Sequence, residues 1–387
     1  MKIEDMQLQQ KFKKNLGVFF SNNTSLEEWN ENGFLNREVH YYKELAKKKI
    51  NITFFTYGDR KDLKYKNNLF PIKIVPLYSK FYFPNVTILK SILNLFFPIF
   101  YKKEIKKLNI IKSNQVWGSL VPCIIKFFFK IPFYIRSGWE PSFRSTDFGI
   151  PKIKIFFVFL NSLICYNYTD FILVSSKKLN HFIKKKFKIK KKISTLGNFI
   201  DLNLFKPKKM KRIRNQILMI SRITNQKNIE LLIDALSKSN IILTHIGSVT
   251  PLKKKYILEL AKSKKTKIKF LGKKKNEKLP YYYNKSSAYV ICSRVEGNPK
   301  SLLEAMACKC PIVGTKVEGI KDLIVHNKNG LLCLENAKSL KASILKILKN
   351  KNLSERLSHY ALNYVKKNNS FSNYLNFEFK TIMKYAK

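Results

Sequence analysis

The chain has 387 residues, 45% of them hydrophobic, and a formal net charge of +50. At ~100–200 residues per domain, this length suits two or three folded domains, and the apolar content excludes a disordered chain. The charge predicts attraction to a polyanion, namely nucleic acid, anionic lipid or polyphosphate. No long Gly/Ser/Pro linker and no internal repeat is visible, so the polar, basic segment 206–215 is the best domain-boundary candidate.

The amino-terminal half alternates strand and helix patterns. Strands are predicted at LGVFFS, INITFFTYG, VWGSL, FYIRSGW and DFILVSS, and a helix is predicted over 34–48. This alternation predicts a doubly wound α/β domain with a parallel sheet.

Two turns of this half are candidate ligand sites, because ligands of open parallel sheets bind beyond the carboxyl ends of strands. Gly33, Arg37 and Glu38 follow the first strand, and Arg136 and Trp139 end a later one. Each could equally be structural, with glycine providing positive φ, Arg37 paired to a neighbour and Trp139 in the core.

Two βα units in the carboxy-terminal half have polar turns. In the first, Gln216–Ile220 is a predicted strand, the turn has Arg222 and Lys227, and an amphipathic helix starts at Asn228. A basic pair in a lysine-rich chain is most often a solvated surface. At the end of a strand, however, guanidinium, ammonium and helix N–H groups could meet a diphosphate together.

The second unit contains two glutamates, Glu296 and Glu304. Ala288–Cys292 is a predicted buried strand, SRVEGNP a turn, and SLLEAMAC a helix that begins near Pro299. Glu296 lies in the turn, and Glu304 lies about one helical turn further on, where it could accept hydrogen bonds from a polyol such as ribose. Alternatively, one glutamate is a first-turn helix residue and the other a solvated charge.

The segment 287–333 resembles the nucleotide-binding signature of the group 1, or family 4, retaining glycosyltransferases. The resemblance rests on EGNPKSLLEAMAC and on Pro311, Val313, Thr315, Gly319, Asn329 and Gly330. The Arg222–Lys227 turn and LGNFID, at 196–201, resemble two further elements of the family. Lys309 and Glu318 stand where the family commonly has glycine, and Asp322 where it frequently has glutamate.

The resemblance implies a GT-B fold, in which two Rossmann-like doubly wound domains face each other across a cleft. It implies an acceptor-binding domain over 1–205, a nucleotide-sugar domain over 206–370, and a helix at 371–387 that packs back on the first domain. The acceptor or cleft candidates are then Gly33, Arg37, Arg136 and Trp139.

It also implies a retaining, metal-independent sugar transfer. Glu296 would bind sugar hydroxyls near the reacting carbon, Glu304 would hold the ribose, and backbone N–H groups of 298–302 would help to hold the diphosphate. The donor-binding candidates are Arg222, Lys227, Gly297, Asn298, Pro299, Lys300, Ser301, Leu302 and Glu304. The donor would be a UDP- or GDP-sugar, with no cofactor. The acceptor would be a glycan or lipid-linked molecule of bacterial polysaccharide or lipopolysaccharide biosynthesis.

The remaining features concern location. The six cysteines lack metal spacing and predict reduced thiols in a cytoplasmic protein, and no secretory signal opens the chain. Apolar segments at 88–101, 122–135 and 152–165 are too short to span a bilayer. Beside many lysines, they favour peripheral attachment to an anionic inner membrane surface over binding to nucleic acid, although each could be a buried helix. The alternative function is a non-catalytic basic protein that binds membranes or polyanions on a glycosyltransferase fold.

Overall fold

The computed structural model of the chain describes residues 14–33, 35–80, 90, 93–138, 140 and 152–387. The chain forms two compact units: Met1–Leu196 together with Leu375–Lys387, and Gly197–Tyr374. Each unit is built on a parallel sheet flanked by helices, which confirms the predicted α/β class.

In the described part of the first unit, seven parallel strands lie in the order β3-β2-β1-β4-β5-β6-β7. The strands are β1 Lys14–Phe19, β2 Ile50–Thr56, β3 Lys73–Pro76, β4 Ile110–Ser113, β5 Phe133–Ser137, β6 Phe171–Val174 and β7 Ile193–Thr195. The helices are Leu26–Glu31, Leu35–Ala46, Lys66–Leu69, Phe97–Phe100, Lys102–Ile105, Leu120–Phe129, Lys152–Tyr168 and Lys177–Lys186. The chain winds from β1 in one direction and from β4 in the other, so the topological switch point lies between β1 and β4.

The second unit has six parallel strands in the order β10-β9-β8-β11-β12-β13. They are β8 Ile213–Ile220, β9 Ile242–Ile246, β10 Lys267–Phe270, β11 Ser286–Ile291, β12 Ile312–Thr315 and β13 Leu331–Cys333. The helices are Ile229–Ala235, Pro251–Ser263, Leu279–Lys285, Lys300–Ala307, Ala337–Lys349 and Lys351–Asn368. A last helix, Phe371–Tyr385, starts in this unit and continues into the first. The switch point lies between β8 and β11.

Both faces of the second sheet are buried. Successive residues of β8 enter different hydrophobic clusters, with Ile217 and Met219 in one and Leu218 in the other. Side chains of a strand alternate between faces, and a parallel sheet is covered on both, so its strands have continuous apolar runs. This is why β8 and β11 could be recognised in the sequence.

One predicted strand is wrong. Val116–Gly118 in VWGSL is a 3₁₀ turn that leads into the helix Leu120–Phe129, and the strand of this region is Ile110–Ser113. Lys112 interrupts the apolar pattern of that strand, yet its side chain is buried. The strands predicted at LGVFFS, INITFFTYG, FYIRSGW and DFILVSS are confirmed as β1, β2, β5 and β6.

Lys112 is buried because it pairs with Glu378 of the last helix. The Nζ–Oε1 distance is 2.5 Å, and the two side chains are 3% and 0% exposed. The Tyr134 hydroxyl donates to the same oxygen at 2.6 Å. Burial lowers the pKa of Lys112, whereas burial alone would raise the pKa of Glu378, which the Lys112 ammonium holds below its usual value. The pair joins the last helix to β4 within the first unit.

Glu378→Ala should destabilise the first unit by roughly 3–5 kcal/mol, because it leaves the Lys112 ammonium buried without a counter-charge. Lys112→Met/Glu378→Leu should restore most of this loss. The measurement is urea unfolding followed by tryptophan fluorescence, which reports the first unit because Trp29, Trp117 and Trp139 are the chain's three tryptophans.

The matched control is Glu44→Ala, which breaks an exposed pair with Lys47 in the same unit and should change stability little. Equal losses in the single and double variants would show that packing, and not the unpaired charge, dominates the effect.

Candidate functional site

The candidate site lies at the switch point of the second unit, where the turns after β8 and β11 meet. The backbone N–H of Arg294 donates to the carbonyl of Gln226 at 2.9 Å. The side-chain amide of Gln226 donates to the carbonyl of Val295 at 2.8 Å. These bonds fasten the turn that has Arg222 and Lys227 to the turn that has Glu296. The two sequence elements therefore form one site.

Glu296 is held from two sides. Its carboxylate is 8% exposed, and Oε1 accepts from Lys227 Nζ at 2.5 Å and from Ser293 Oγ at 2.7 Å. The carbonyl of Ser293 in turn accepts from Thr315 Oγ1 at 2.7 Å. Ser293 and Thr315 thus orient the carboxylate, a role that sequence reasoning missed. The only available signal was their position next to the carboxyl ends of β11 and β12.

The helix Lys300–Ala307 begins directly after this turn, with Pro299 as its N-cap. The start predicted near Pro299 is confirmed. Backbone N–H groups of a first helical turn have no acceptor within the helix, so those of Lys300, Ser301 and Leu302 point out of it and favour an anion. Pro299 has no N–H and cannot donate, so the predicted donor range 298–302 loses one member.

The residues before the helix are fixed by LGNFID. The backbone N–H of Asn198 donates to Asn298 Oδ1 at 2.8 Å, and Asn198 Nδ2 donates to the Asn298 carbonyl at 2.6 Å. The Lys300 ammonium lies 5.7 Å from the ring centroid of Phe199. The segment that resembles a family element therefore supports the turn between Gly297 and Pro299.

Glu304 is more buried than Glu296. It is 5% exposed, and its Oε2 accepts from the Tyr283 hydroxyl at 2.9 Å. Burial, followed by the charge of Glu304, raises the pKa of Tyr283, so this phenol stays protonated and donates. Glu304 is thus held in a defined orientation by the helix Leu279–Lys285. Its role toward ribose stays a prediction.

Arg222 is exposed just after the end of β8. The residue before it, Ser221, lies very close to the backbone of Gly247. A Cβ on Gly247, whose φ is +144°, would lie 1.8 Å from the carbonyl oxygen of Ser221. His245 Nε2 lies 3.0 Å from the same oxygen. Because burial lowers the pKa of His245 to about 4, the ring is neutral near pH 7 and its Nε2–H donates. The backbone that positions Arg222 is therefore fixed by β9.

A second close approach fixes the Glu296 turn from the other side. Gly319 has φ +80°, and a Cβ on it would lie 2.2 Å from the carbonyl oxygen of Glu296. The Glu296 N–H donates to the carbonyl of Glu318 at 3.3 Å. Two residues that depart from the family pattern lie in different places. Glu318 lies in the loop 316–320, whereas Lys309, with φ +53°, follows the carboxyl end of the helix Lys300–Ala307. The loop 316–320 thus shapes the Glu296 turn directly.

The acceptor candidates lie in the first unit. Gly33 has φ +71°, and no described atom lies within 4 Å of where a Cβ would stand. Arg37 forms an ion pair with its neighbour Glu38 at 3.1 Å. Arg136 lies in the carboxyl half of β5, and its charge and that of Glu38 both act on the pKa of Lys112. Arg136 and Glu38 therefore lie near the buried Lys112–Glu378 pair. Trp139 lies outside the described residues.

Sequence reasoning missed the polar residues at the switch point of the first unit. Asn114 follows β4, its N–H donates to the Phe19 carbonyl at 3.1 Å, and its Oδ1 accepts from the Tyr42 hydroxyl at 3.0 Å. Asn22, after β1, accepts from Asn94 at 3.0 Å. The signal was the polar pair NQ, at 114–115, directly after IIKS, which was overlooked because the strand was placed at VWGSL.

Within the described ranges, no group of three or more His, Cys, Asp or Glu side chains could hold a metal ion. The six cysteines are buried free thiols. The polar groups gathered at the switch point are instead cations, hydroxyls, carboxylates and helix N–H groups.

Residues 203–364 match the family "Glycosyl transferases group 1". This match covers most of the second unit, which is therefore similar to a group 1 glycosyltransferase domain. An uncharacterized glycosyltransferase of Methanocaldococcus jannaschii is 30% identical over 151 residues, which cover 39% of this chain and 43% of that protein. The chain spans about half the length of the curated relatives it matches.

Solved structures match nearly the whole chain. Sucrose-phosphate synthase from Thermosynechococcus elongatus has a TM-score of 0.78 at 16% identity, covering 96% of this chain and 99% of that chain. HepE of Anabaena, in complex with UDP and glucose, has a TM-score of 0.73 at 13% identity, covering 96% and 100%. These likenesses show the fold, which is GT-B with two Rossmann-like units.

Gly319→Ala should destabilise the second unit and distort the Glu296 turn, because its Cβ would overlap the carbonyl of Glu296. The matched control is Gly272→Ala in the same unit, where φ is +66° and nothing lies within 4 Å of the added Cβ. Both variants have the positive-φ cost of about 1–2 kcal/mol, so the difference between them isolates the overlap. Thermal unfolding by circular dichroism measures it. Equal midpoints would contradict the close approach.

Proposed function

We propose that the chain is a retaining glycosyltransferase that uses a nucleotide-diphosphate sugar. The observation that carries the proposal is the fixed carboxylate of Glu296 at the switch point, beside a helix N-terminus and Lys227, within the region that matches the group 1 glycosyltransferases. Anion-binding groups and an oriented carboxylate are together what a donor with a diphosphate and a sugar needs.

The donor would bind across the two fastened turns. Arg222 and the N–H groups of Lys300, Ser301 and Leu302 would contact the diphosphate, and Glu304 would accept hydrogen bonds from ribose hydroxyls. An ammonium has three donor positions, and Lys227 directs one of them to Glu296. Lys227 could therefore bridge the carboxylate and a phosphate. A UDP-sugar is the first donor to test, since the Anabaena structural neighbour was solved with UDP-glucose.

The chemistry would rely on stabilising charge at both ends of the breaking bond. Negative charge that develops on the departing diphosphate would be stabilised by Arg222, Lys227 and the helix N–H groups, without any need for a metal. Glu296 would bind sugar hydroxyls and stabilise positive charge on the ring. For retention, the departing phosphate would deprotonate the acceptor on the same face of the sugar.

The acceptor would be a glycan or a lipid-linked glycan of bacterial surface polysaccharide synthesis, bound by the first unit. We place the protein in the cytoplasm, attached peripherally to the inner membrane surface. In the described part of the chain, no helix has both the length and the apolar character needed to cross a bilayer.

The direct test is incubation of the purified full chain with UDP-, GDP- and ADP-sugars, with release of the nucleotide diphosphate as the readout. Turnover that is lost in Glu296→Gln supports the proposal. Nucleotide binding with no turnover for any donor or acceptor would favour the alternative, a non-catalytic binding protein on the same fold.

Arg222→Ala should weaken UDP binding by roughly 1.5–3 kcal/mol, the value of a charge-assisted hydrogen bond. The matched control is Arg214→Ala, since Arg214 is exposed near the opposite end of the same strand. Isothermal titration calorimetry measures both. Loss of equal size in the two variants would indicate a non-specific effect of charge.

The two glutamates should separate in a ligand experiment. If Glu304 binds ribose, wild type should prefer UDP to 2′-deoxy-UDP, and Glu304→Gln should lose most of that preference. Glu296→Gln should keep the preference and lose turnover, because its partner is the sugar in the transition state. A preference unchanged in Glu304→Gln would remove Glu304 from the ribose site.

A further inference from the structure

The helix Lys152–Tyr168 is apolar on two opposite faces. Its inner face includes Val158, Cys165 and Tyr166, which are 7%, 0% and 0% exposed. Ile153, Phe156, Phe157, Leu160 and Ile164 repeat at helical spacing along the other side, and they are 38–65% exposed. A helix with apolar residues on both sides is normally buried or in contact with lipid, and the described part of the chain buries this helix on its inner side only.

The neighbouring turn has further exposed apolar side chains. The helix contacts the 3₁₀ turn Val116–Gly118, where Trp117 is 39% exposed, and Leu120 beside it is 37% exposed. We call Trp117, Leu120, Ile153, Phe156, Phe157 and Leu160 the apolar face. The predicted apolar segment 122–135 is not part of this face, and its residues 133–135 are buried in β5.

A cationic cavity lies beside the same helix. The helix Lys177–Lys186 follows it in the chain, and the ring of Phe159 stacks on Phe187 at 5.3 Å while the Lys186 ammonium lies 5.4 Å from the Phe159 centroid. The cavity has a volume of about 430 Å³ and is lined by Lys178, His181, Phe182, Lys185 and Lys186. The connections β4 to β7 run in one direction across the sheet, and right-handed crossovers place their helices on one side of it.

The apolar face and the cationic cavity together indicate which kind of partner fits this surface. A free phosphate would use the lysines but would leave the apolar face in water, and an apolar partner would bring no negative charge to Lys185 and Lys186. An anionic phospholipid surface satisfies both, because headgroup phosphates meet the lysines while aromatic side chains enter the acyl boundary. The net charge of +50 has the sign that such a surface attracts.

We propose that the apolar face and the cationic cavity form the surface by which the first unit docks on an anionic phospholipid bilayer. From the proposed function, this proposal takes only the peripheral attachment to a membrane. It does not depend on sugar transfer. The Phe156–Phe157 pair would insert between lipids, and Lys185 and Lys186 would contact headgroup phosphates.

The test is sedimentation of the full chain with phosphatidylcholine vesicles, with and without phosphatidylglycerol. Wild type should bind the anionic vesicles, and high salt should weaken this binding. Phe156→Ser/Phe157→Ser should lower partitioning at least about tenfold through lost apolar insertion. Lys185→Glu/Lys186→Glu should lower it about 25-fold or more, at about fivefold per lysine removed.

Two matched controls lie in the second unit. Lys366→Glu/Lys367→Glu makes the same charge change in the last turn of another helix, and Leu252→Ser/Tyr256→Ser removes two exposed apolar side chains. Both should bind vesicles like wild type. Tryptophan fluorescence and UDP titration establish that each variant is folded and keeps its nucleotide affinity.

The outcomes separate the explanations. If Lys366→Glu/Lys367→Glu loses as much binding as Lys185→Glu/Lys186→Glu, the attraction is general charge and the proposed surface is wrong. If Leu252→Ser/Tyr256→Ser loses as much binding as Phe156→Ser/Phe157→Ser, the apolar contribution is not specific to the apolar face and the proposed surface is also wrong. If inorganic pyrophosphate displaces the protein and the phenylalanine variant binds normally, the cavity is a site for free phosphate and the docking proposal fails. Vesicle binding without UDP binding would overturn the donor site and leave the docking surface standing.

Discussion

The ion pair between Lys227 and Glu296 is the interaction on which the candidate site depends. It joins the ends of two neighbouring strands, β8 and β11, across the switch point of the second sheet. The carboxylate is nearly buried while its lysine is 24% exposed, so the pair is anchored in the protein and open to a ligand on the side of the ammonium. The hydroxyl of Ser293 fixes the same oxygen, and the backbone approach of Gly319 fixes the turn that presents it.

A second lysine–glutamate pair has a different role because both of its side chains are buried. Lys112 and Glu378 are both enclosed, and the Tyr134 hydroxyl completes the pair. A ligand could reach this pair only by opening the first unit, so its role is structural. It ties the last helix to β4, whereas the Lys227–Glu296 pair leaves an ammonium able to contact a second anion. Access to the cation therefore distinguishes a binding site from a structural link in this chain.

The surface of the first unit departs from the usual polar exterior of a soluble domain. The helix Lys152–Tyr168 has an apolar stripe on its inner side, as a core helix should, and a second stripe on its outer side. Core packing explains the first stripe and gives no reason for the second. The lysine-lined cavity lies beside the same helix, so exposed apolar side chains and positive charge occur close together in this unit.

The sequence alone determined the elements that depend on local pattern. The apolar runs of β8 and β11, the helix start near Pro299 and the acidic pair Glu296 and Glu304 were all readable, because strand burial and helix entry leave short-range signals. The strand Ile110–Ser113 was not readable, since Lys112 breaks its pattern and is neutralised by a residue far along the chain. Tertiary structure alone decided that Lys227 pairs with Glu296 and that Ser293 orients it. These contacts arise because parallel strands bring separate turns to one edge, and no spacing within either turn records which partner it will meet.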